Sequence, residues 1–371
     1  MLREVLMLSN RLLQSGSVAF ALAGSLLFLA NTTAATAHGK KPLVLKELKT
    51  FYVGGTIEFS DCNSSDCTSA NPRQGPGNLS VNAAYVEKAT PANKTFSYPI
   101  IFMHGGGHNG QVFMTTPDGR EGWFHSFIRR GFEVYVVDGS NRGRSGWDPV
   151  KRFKATAGLI AASEMETTDT YSEHTAWPGF RWGPQHGVLY PNSQFPIAAL
   201  NQYLAQLNPA YRDAEANTLL AANLSALIDK IGPCILLGWS TGSQNIMDAV
   251  NTPARAAAVK GLIGTEGFNL TSRAGNIALN KNIPMLTVIG DNARDARYVP
   301  AVAHANHINS LGGNATAIYL PDVGIFGNGH TMMLEKNNEQ IADLIERWIR
   351  KNVKDKKKHD HDDDDDHGHR H

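Results

Sequence analysis

The chain has 371 residues, enough for one large or two medium cores, and a composition of 42% hydrophobic and 19% charged residues excludes disorder along its whole length. Its formal charge is +1. Setting aside the two ends, which hold Arg3, Glu4 and Arg11, then six aspartates and Arg370, leaves 32 basic against 27 acidic residues, too mild an excess for a phosphate-backbone binder.

At the N-terminus, Arg3 and Arg11 precede a 13-residue apolar run at 18–30. A bilayer span takes about 20 residues. With Ala35-Thr36-Ala37 after it as a small-x-small cleavage pattern, residues 1–37 read as a secretory signal, the alternative being an anchor that is never cut. No cysteine follows the run as a lipoprotein anchor needs, no twin arginine precedes it, and no later stretch approaches 18 apolar residues. The mature protein is expected to be secreted or periplasmic, without a stable membrane anchor. Cys62 and Cys67 lie in a polar loop where a small disulfide ring can close in an oxidising compartment, stabilising by roughly 2 kcal/mol in the loop-entropy model; two free surface thiols are the alternative. Cys234 sits in an apolar run and reads as a buried small hydrophobe.

Residues 38–353 are expected to form the folded domain. Residues 51–59 and 79–86 look like an antiparallel hairpin, and apolar runs at 99–103, 132–137, 234–237, 259–263, 284–289 and 315–320 look like strands buried on both faces of a parallel sheet. Apolar residues three or four apart predict helices over 123–130, 213–231, 243–250, 299–311 and 337–352. This alternation points to an α/β fold with a mostly parallel sheet flanked by helices. Residues 148–212 break the rhythm, being long, rich in proline and aromatics and without a strand; they read as an inserted cap. No internal repeat is visible. Residues 354–371, with five histidines among six aspartates after a lysine run, have nothing apolar to pack and read as a disordered tail that could chelate metal loosely.

The 234–237 run leads into Gly238-Trp239-Ser240-Thr241-Gly242 and then a helix. A sharp strand-to-helix turn strains its central residue, demands small residues two before and two after, and lifts the serine hydroxyl to the carboxyl edge of the sheet. Ser240 is thus the candidate nucleophile. A serine needs a base to take its proton. His330, in Gly327-Asn328-Gly329-His330-Thr331 between the last strand and last helix, fits that place; His304 and His307 lie in a helical pattern, and His174 and His186 in the cap. Two acids compete to orient the imidazole: Glu266 after the first strand beyond the nucleophile, and Asp291 after the second. Spacing leaves both open. His104-Gly105-Gly106-Gly107-His108-Asn109-Gly110 follows the 99–103 strand, and glycine lets peptide N–H groups approach a developing oxyanion; Gly106 paired with Thr241 is the first choice, Gly107 the alternative.

These motifs resemble the α/β-hydrolase superfamily over roughly residues 79–351. Together with Thr116-Pro-Asp-Gly-Arg-Glu-Gly-Trp123 and Val137-Asp-Gly-Ser-Asn-Arg-Gly-Arg-Ser145, the His104–Gly110 run looks like a group of secreted bacterial esterases typified by an Alcaligenes enzyme. That resemblance implies Glu266 as the acid and His330 as the base. The chain departs from the group at Gly106 and Gly107, where the Alcaligenes-type enzyme has adjacent cysteines. The function so implied is hydrolysis of small-molecule carboxylic esters by a Ser-His-Glu triad through an acyl-enzyme, with no cofactor, resident metal or nucleic-acid partner. Alternatives are lactone or amide cleavage on the same triad, or an exported metal-binding protein using its tail. Cap aromatics Trp177, Phe180, Trp182, Tyr190 and Phe195 either line a substrate pocket or pack the cap onto the sheet. Asn78 and Asn269 head Asn-x-Ser/Thr glycosylation sites.

Overall fold

The computed structural model describes residues 41–64, 67, 75–211, 214–268 and 277–355. The expected signal segment, Asn269 and nearly all of the His/Asp-rich tail lie outside them. Twelve strands are seen among the described residues: β1 Leu45–Val53, β2 Thr56–Ser60, β3 Gly77–Val81, β4 Ala84–Pro91, β5 Ile100–Met103, β6 Val134–Asp138, β7 Thr168–Asp169, β8 Ala210–Tyr211, β9 Cys234–Trp239, β10 Val259–Thr265, β11 Met285–Ile289 and β12 Ala315–Tyr319. Eight of them form one sheet in the order β1-β4-β6-β5-β9-β10-β11-β12. From β6 across to β12 every pairing is parallel, while β4 runs against both of its neighbours. Every residue of β5, β6, β9 and β11 is buried, which is why their apolar runs are unbroken.

The five predicted helices are present as Trp123–Arg129, Ala214–Ile231, Thr241–Ala249, Val299–Ser310 and Asn338–Asn352. They cover both faces of the sheet. Phe124, Phe127, Ile341, Ile345 and Ile349 pack with Phe102 and Val136 on one face. Leu224, Leu227, Ile246 and Ile308 pack with Ile101, Met103 and Leu236 on the other. Each face sees the alternate residues of the same strands, as a two-sided sheet requires.

Two expectations are corrected. The early hairpin is a double one, because β1 pairs with β4 and β2 with β3. The break falls at Gly54 and Gly55, whose φ of +67° and +70° end the extended run; a side chain on Gly55 would meet the Val81 carbonyl at 2.5 Å. The 148–212 segment does contain strands, since β7 and β8, two residues each, pair with one another around the short helices Glu173–Gly179 and Leu200–Ala205, while the short helix Val150–Thr156 precedes the pair. Trp177, Phe180, Trp182 and Phe195 are all buried in the cluster that also covers the β5–β9 region of the sheet, so these aromatics pack, with Trp182 stacked on Phe195 at 3.7 Å. Tyr190 is half-buried, its N–H donating to the Trp182 carbonyl at 3.0 Å.

Cys62 and Cys67 are joined in a disulfide. Cys234 is a buried free thiol whose pKa burial pushes up to about 12, leaving it inert. No helix among the described residues is long and apolar enough to cross a membrane.

Candidate active site

The chain leaves β5 to form β6 on one side and returns to place β9 on the other, so the sheet order reverses between β5 and β9. Parallel α/β sheets open a crevice at the carboxyl ends of such neighbouring strands. Here β5 ends just before His104 and β9 just before Ser240, which brings the glycine run and the candidate nucleophile together. A side chain on Gly105 would meet the Ser240 Cβ at 3.0 Å, and one on Gly106 would lie 3.6 Å from Thr241 Oγ1.

Ser240 has φ +54° and ψ −123°, a backbone conformation that non-glycine residues hold only under constraint. The constraint is visible in the neighbours. Its N–H donates to the Thr265 carbonyl at 2.8 Å, and added side chains at Gly238 or Gly242 would meet backbone at 2.4 Å. The turn therefore closes only with those two glycines. Ser240 is half-exposed and Thr241, first residue of the following helix, is exposed.

His330 is nearly buried and its main chain is gripped from two sides. Its N–H donates to the Phe180 carbonyl at 2.8 Å, and its own carbonyl accepts from Trp239 Nε1 at 2.6 Å. The Phe180 ring lies parallel to the imidazole at 5.6 Å. Nδ1 meets Glu266 Oε2 at 3.1 Å. With the carboxylate ionised, Nδ1 carries the proton and Nε2 is left as acceptor. Burial lowers the His330 pKa below its usual 6.5, with Glu266 pulling the other way.

Glu266 is buried and also has a positive φ, +60°. Its other oxygen accepts the Gly290 N–H at 2.6 Å and pairs with the Arg181 guanidinium at 2.7 Å. Burial alone would raise its pKa, but the Arg181 charge and the His330 hydrogen bond hold it at about 2. Asp291 is turned elsewhere. Its carboxylate accepts from Gly327 N and Asn192 Nδ2, both at 3.2 Å, and from its neighbour Asn292 N at 2.8 Å. Of the two acids, the structure brings Glu266 to the imidazole and sets Asp291 to brace the loop that leads to it.

The glycine loop is fixed by polar partners. Asp138, at the end of β6, accepts Gly110 N at 2.7 Å and Arg144 N at 2.9 Å. Gly106 is partly exposed, whereas Gly107 has φ +69° and is covered by Tyr171, so a side chain there would strike that ring at 2.6 Å. His108 Nδ1 donates to the Gly106 carbonyl at 2.8 Å and Nε2 accepts from Tyr203 at 2.9 Å; burial holds its pKa at about 3, so it stays neutral.

Two participants escaped the sequence reading. Arg181 lies in the irregular segment, where no periodic pattern could flag it. Glu335 is fully buried and accepts from Gly329 N at 2.8 Å and Asn328 Nδ2 at 2.7 Å, clamping the residues just before His330. Burial pushes its pKa up to about 7, against those two donors. A raised carboxyl pKa favours the folded state below its ordinary 4.5 and loses that contribution as pH rises through 7, on the order of 3 kcal/mol. Glu335→Gln is therefore expected to unfold with less destabilisation than the parent chain between pH 5 and pH 8, and to lower kcat about tenfold through a loosened loop. Denaturant titrations at the two pH values check this; an unchanged pH dependence refutes it.

The comparisons agree on chemistry. No protein-family model matches the chain. A probable secreted lipase, phiG, from a fungal species (strain ATCC 74256) is 30% identical over 330 residues, covering 72% of this chain and 85% of that protein. A novel bacterial esterase solved at atomic resolution superposes with a TM-score of 0.77 at 29% identity, over 85% of this chain and 99% of the esterase. With its fold, its serine turn and these relatives in view, the chain is a carboxylic ester hydrolase of the α/β-hydrolase fold, and it belongs to the family of that secreted lipase.

Proposed function

We propose that the protein is an exported serine esterase in which Ser240, His330 and Glu266 act as the triad. The observation that carries this is the 3.1 Å contact between His330 Nδ1 and Glu266 Oε2 at the same crevice as the strained Ser240 turn. His330 Nε2 takes the Ser240 hydroxyl proton as Oγ bonds to the ester carbonyl carbon. The negative oxygen that results is held by the N–H groups of Gly106 and Thr241. Collapse breaks the bond to the alcohol, which leaves with the proton from His330, and the acyl group stays on Ser240. Water repeats the sequence and frees the acid. Glu266 keeps the proton on Nδ1 and faces the imidazolium that forms at each step. Export is supported by the Cys62–Cys67 disulfide and by the secreted lipase relative.

Chromogenic esters of increasing acyl length, with the Ser240→Ala protein as blank, test the reaction. The pH profile tests the base. His330 must be neutral to accept a proton, so kcat/KM falls as pH drops through its pKa, and burial places that midpoint below 6.5. Glu266 at about 2 stays ionised throughout. An acid limb centred at or above 6.5 contradicts the assignment.

A further inference from the structure

Away from the serine crevice, one set of side chains among the described residues brings three metal-type donors together. One ligand atom each from Glu173, His174 and His186 lie within 4.8 Å of one another. Glu173 and His174 begin the helix Glu173–Gly179, and His186 returns to them on a tight turn in which Val188 N donates to the Gln185 carbonyl at 3.1 Å. That turn is anchored on the same helix. Trp177 Nε1 donates to the Val188 carbonyl at 2.7 Å, and its ring meets the His186 ring edge-on at 5.3 Å.

The donor spacing suits a small cation. Glu173 Oε1 lies 3.4 Å from His186 Nε2 and 3.6 Å from His174 Nδ1. Metal–ligand bonds of about 2.0–2.1 Å at tetrahedral angles set donors about 3.3 Å apart. Each ring nitrogen's lone pair lies in its ring plane and the two imidazoles stack at 3.8 Å, so a shared ion requires the more exposed His174 ring to turn out of the stack, which solvent around it allows. One shared cation satisfies both nitrogens and the carboxylate at once. All three side chains reach solvent, at 42%, 69% and 35% exposure for Glu173, His174 and His186, which leaves an ion an entry path and a fourth position for water. Two imidazoles with one carboxylate favour a borderline ion such as Zn²⁺ over Mg²⁺ or Ca²⁺, which prefer oxygen alone.

We propose that Glu173, His174 and His186 bind one divalent transition ion of the Zn²⁺ class, and that the ion braces the segment that holds the general base. The link is short. The helix that begins at the site ends at Gly179, and the next two residues are Phe180, whose carbonyl holds the His330 N–H, and Arg181, which pairs with Glu266. The ion joins the start of that helix to the 185–188 turn and so restrains both.

Thermal unfolding of the full chain in EDTA and in excess Zn²⁺ tests the site, because a site assembled by folding raises Tm by mass action. A rise of about 2 °C or more is expected for the parent chain, and most of it is expected to vanish in His186→Ala and His174→Ala. The histidines of 359–371 are the same in every protein compared, so whatever they bind cancels. Co²⁺ in place of Zn²⁺ is expected to give the strong visible bands of low-coordinate cobalt in the parent chain and not in His186→Ala. Because His186 packs on Trp177, Glu173→Gln serves as a second variant that removes the anionic ligand and leaves that packing intact. Equal Tm shifts in the parent chain and all three variants, or no shift in any, overturn the proposal.

Discussion

Replacing Ser240 with alanine is expected to lower kcat on ester substrates by about 10⁴ to 10⁶, because triad members act as one unit and the remaining groups have no bond to form with the carbonyl. The same change is expected to leave Tm nearly where it was. Ser240 is half-exposed, and the strain of its turn is held by its backbone bond to Thr265 and by the close approach of Gly238 and Gly242, none of which uses the hydroxyl. Paired measurement of turnover and thermal unfolding separates loss of chemistry from loss of fold. Near-normal turnover in a folded Ser240→Ala protein removes the serine mechanism altogether.

The second large effect concerns the acid. Glu266→Gln is expected to lower kcat by about 10⁴, the scale seen when a triad acid becomes its amide. An amide NH₂ facing Nδ1 favours the wrong tautomer and leaves the imidazolium without a counter-charge. The substitution also strips the nearly buried Arg181 of its partner, so a stability loss of about 3–5 kcal/mol accompanies it. Asp291→Asn keeps acceptor oxygen for Gly327 N and is expected to cost less than about tenfold in kcat. If Asp291→Asn is the crippling change and Glu266→Gln the mild one, the acid assignment is reversed.

Much of this was legible because the strongest signals are local. Strands buried on both faces write unbroken apolar runs, and the serine turn needs its glycines for steric reasons that any sequence must obey. The boundaries of β9, β11 and the last helix fall within two residues of the predicted ones for that reason. Spacing along the chain could not choose between Glu266 and Asp291, since both follow strands with the same grammar. The choice depends on a positive φ at Glu266 and on Arg181, a residue 85 positions earlier in a segment without periodicity. Glu335 was invisible because a lone glutamate before a helix reads as a solvated charge. The split of the early hairpin was written in Gly54-Gly55, a breaker pair inside an apparent strand.

The hold of Phe180 and Arg181 on His330 and Glu266 has a consequence for how this enzyme can be altered. Ser240 and the glycine loop belong to the sheet, but His330 and Glu266, the proposed base and acid, are steadied by the segment between β6 and the helix Ala214–Ile231. Exchanging 148–212 for the matching stretch of a relative, the obvious route to a new substrate range, would also exchange the Phe180 and Arg181 contacts that orient the imidazole and its carboxylate. Evolution faces the same linkage: substitutions in this segment are constrained at Phe180, Arg181, Asn192 and Tyr203, whose contacts reach His330, Glu266, Asp291 and His108. If His330 is the base as proposed, a transient opening of the segment would leave a folded sheet that still displays Ser240 without its partner, so inactivation by local unfolding would precede any loss of the core.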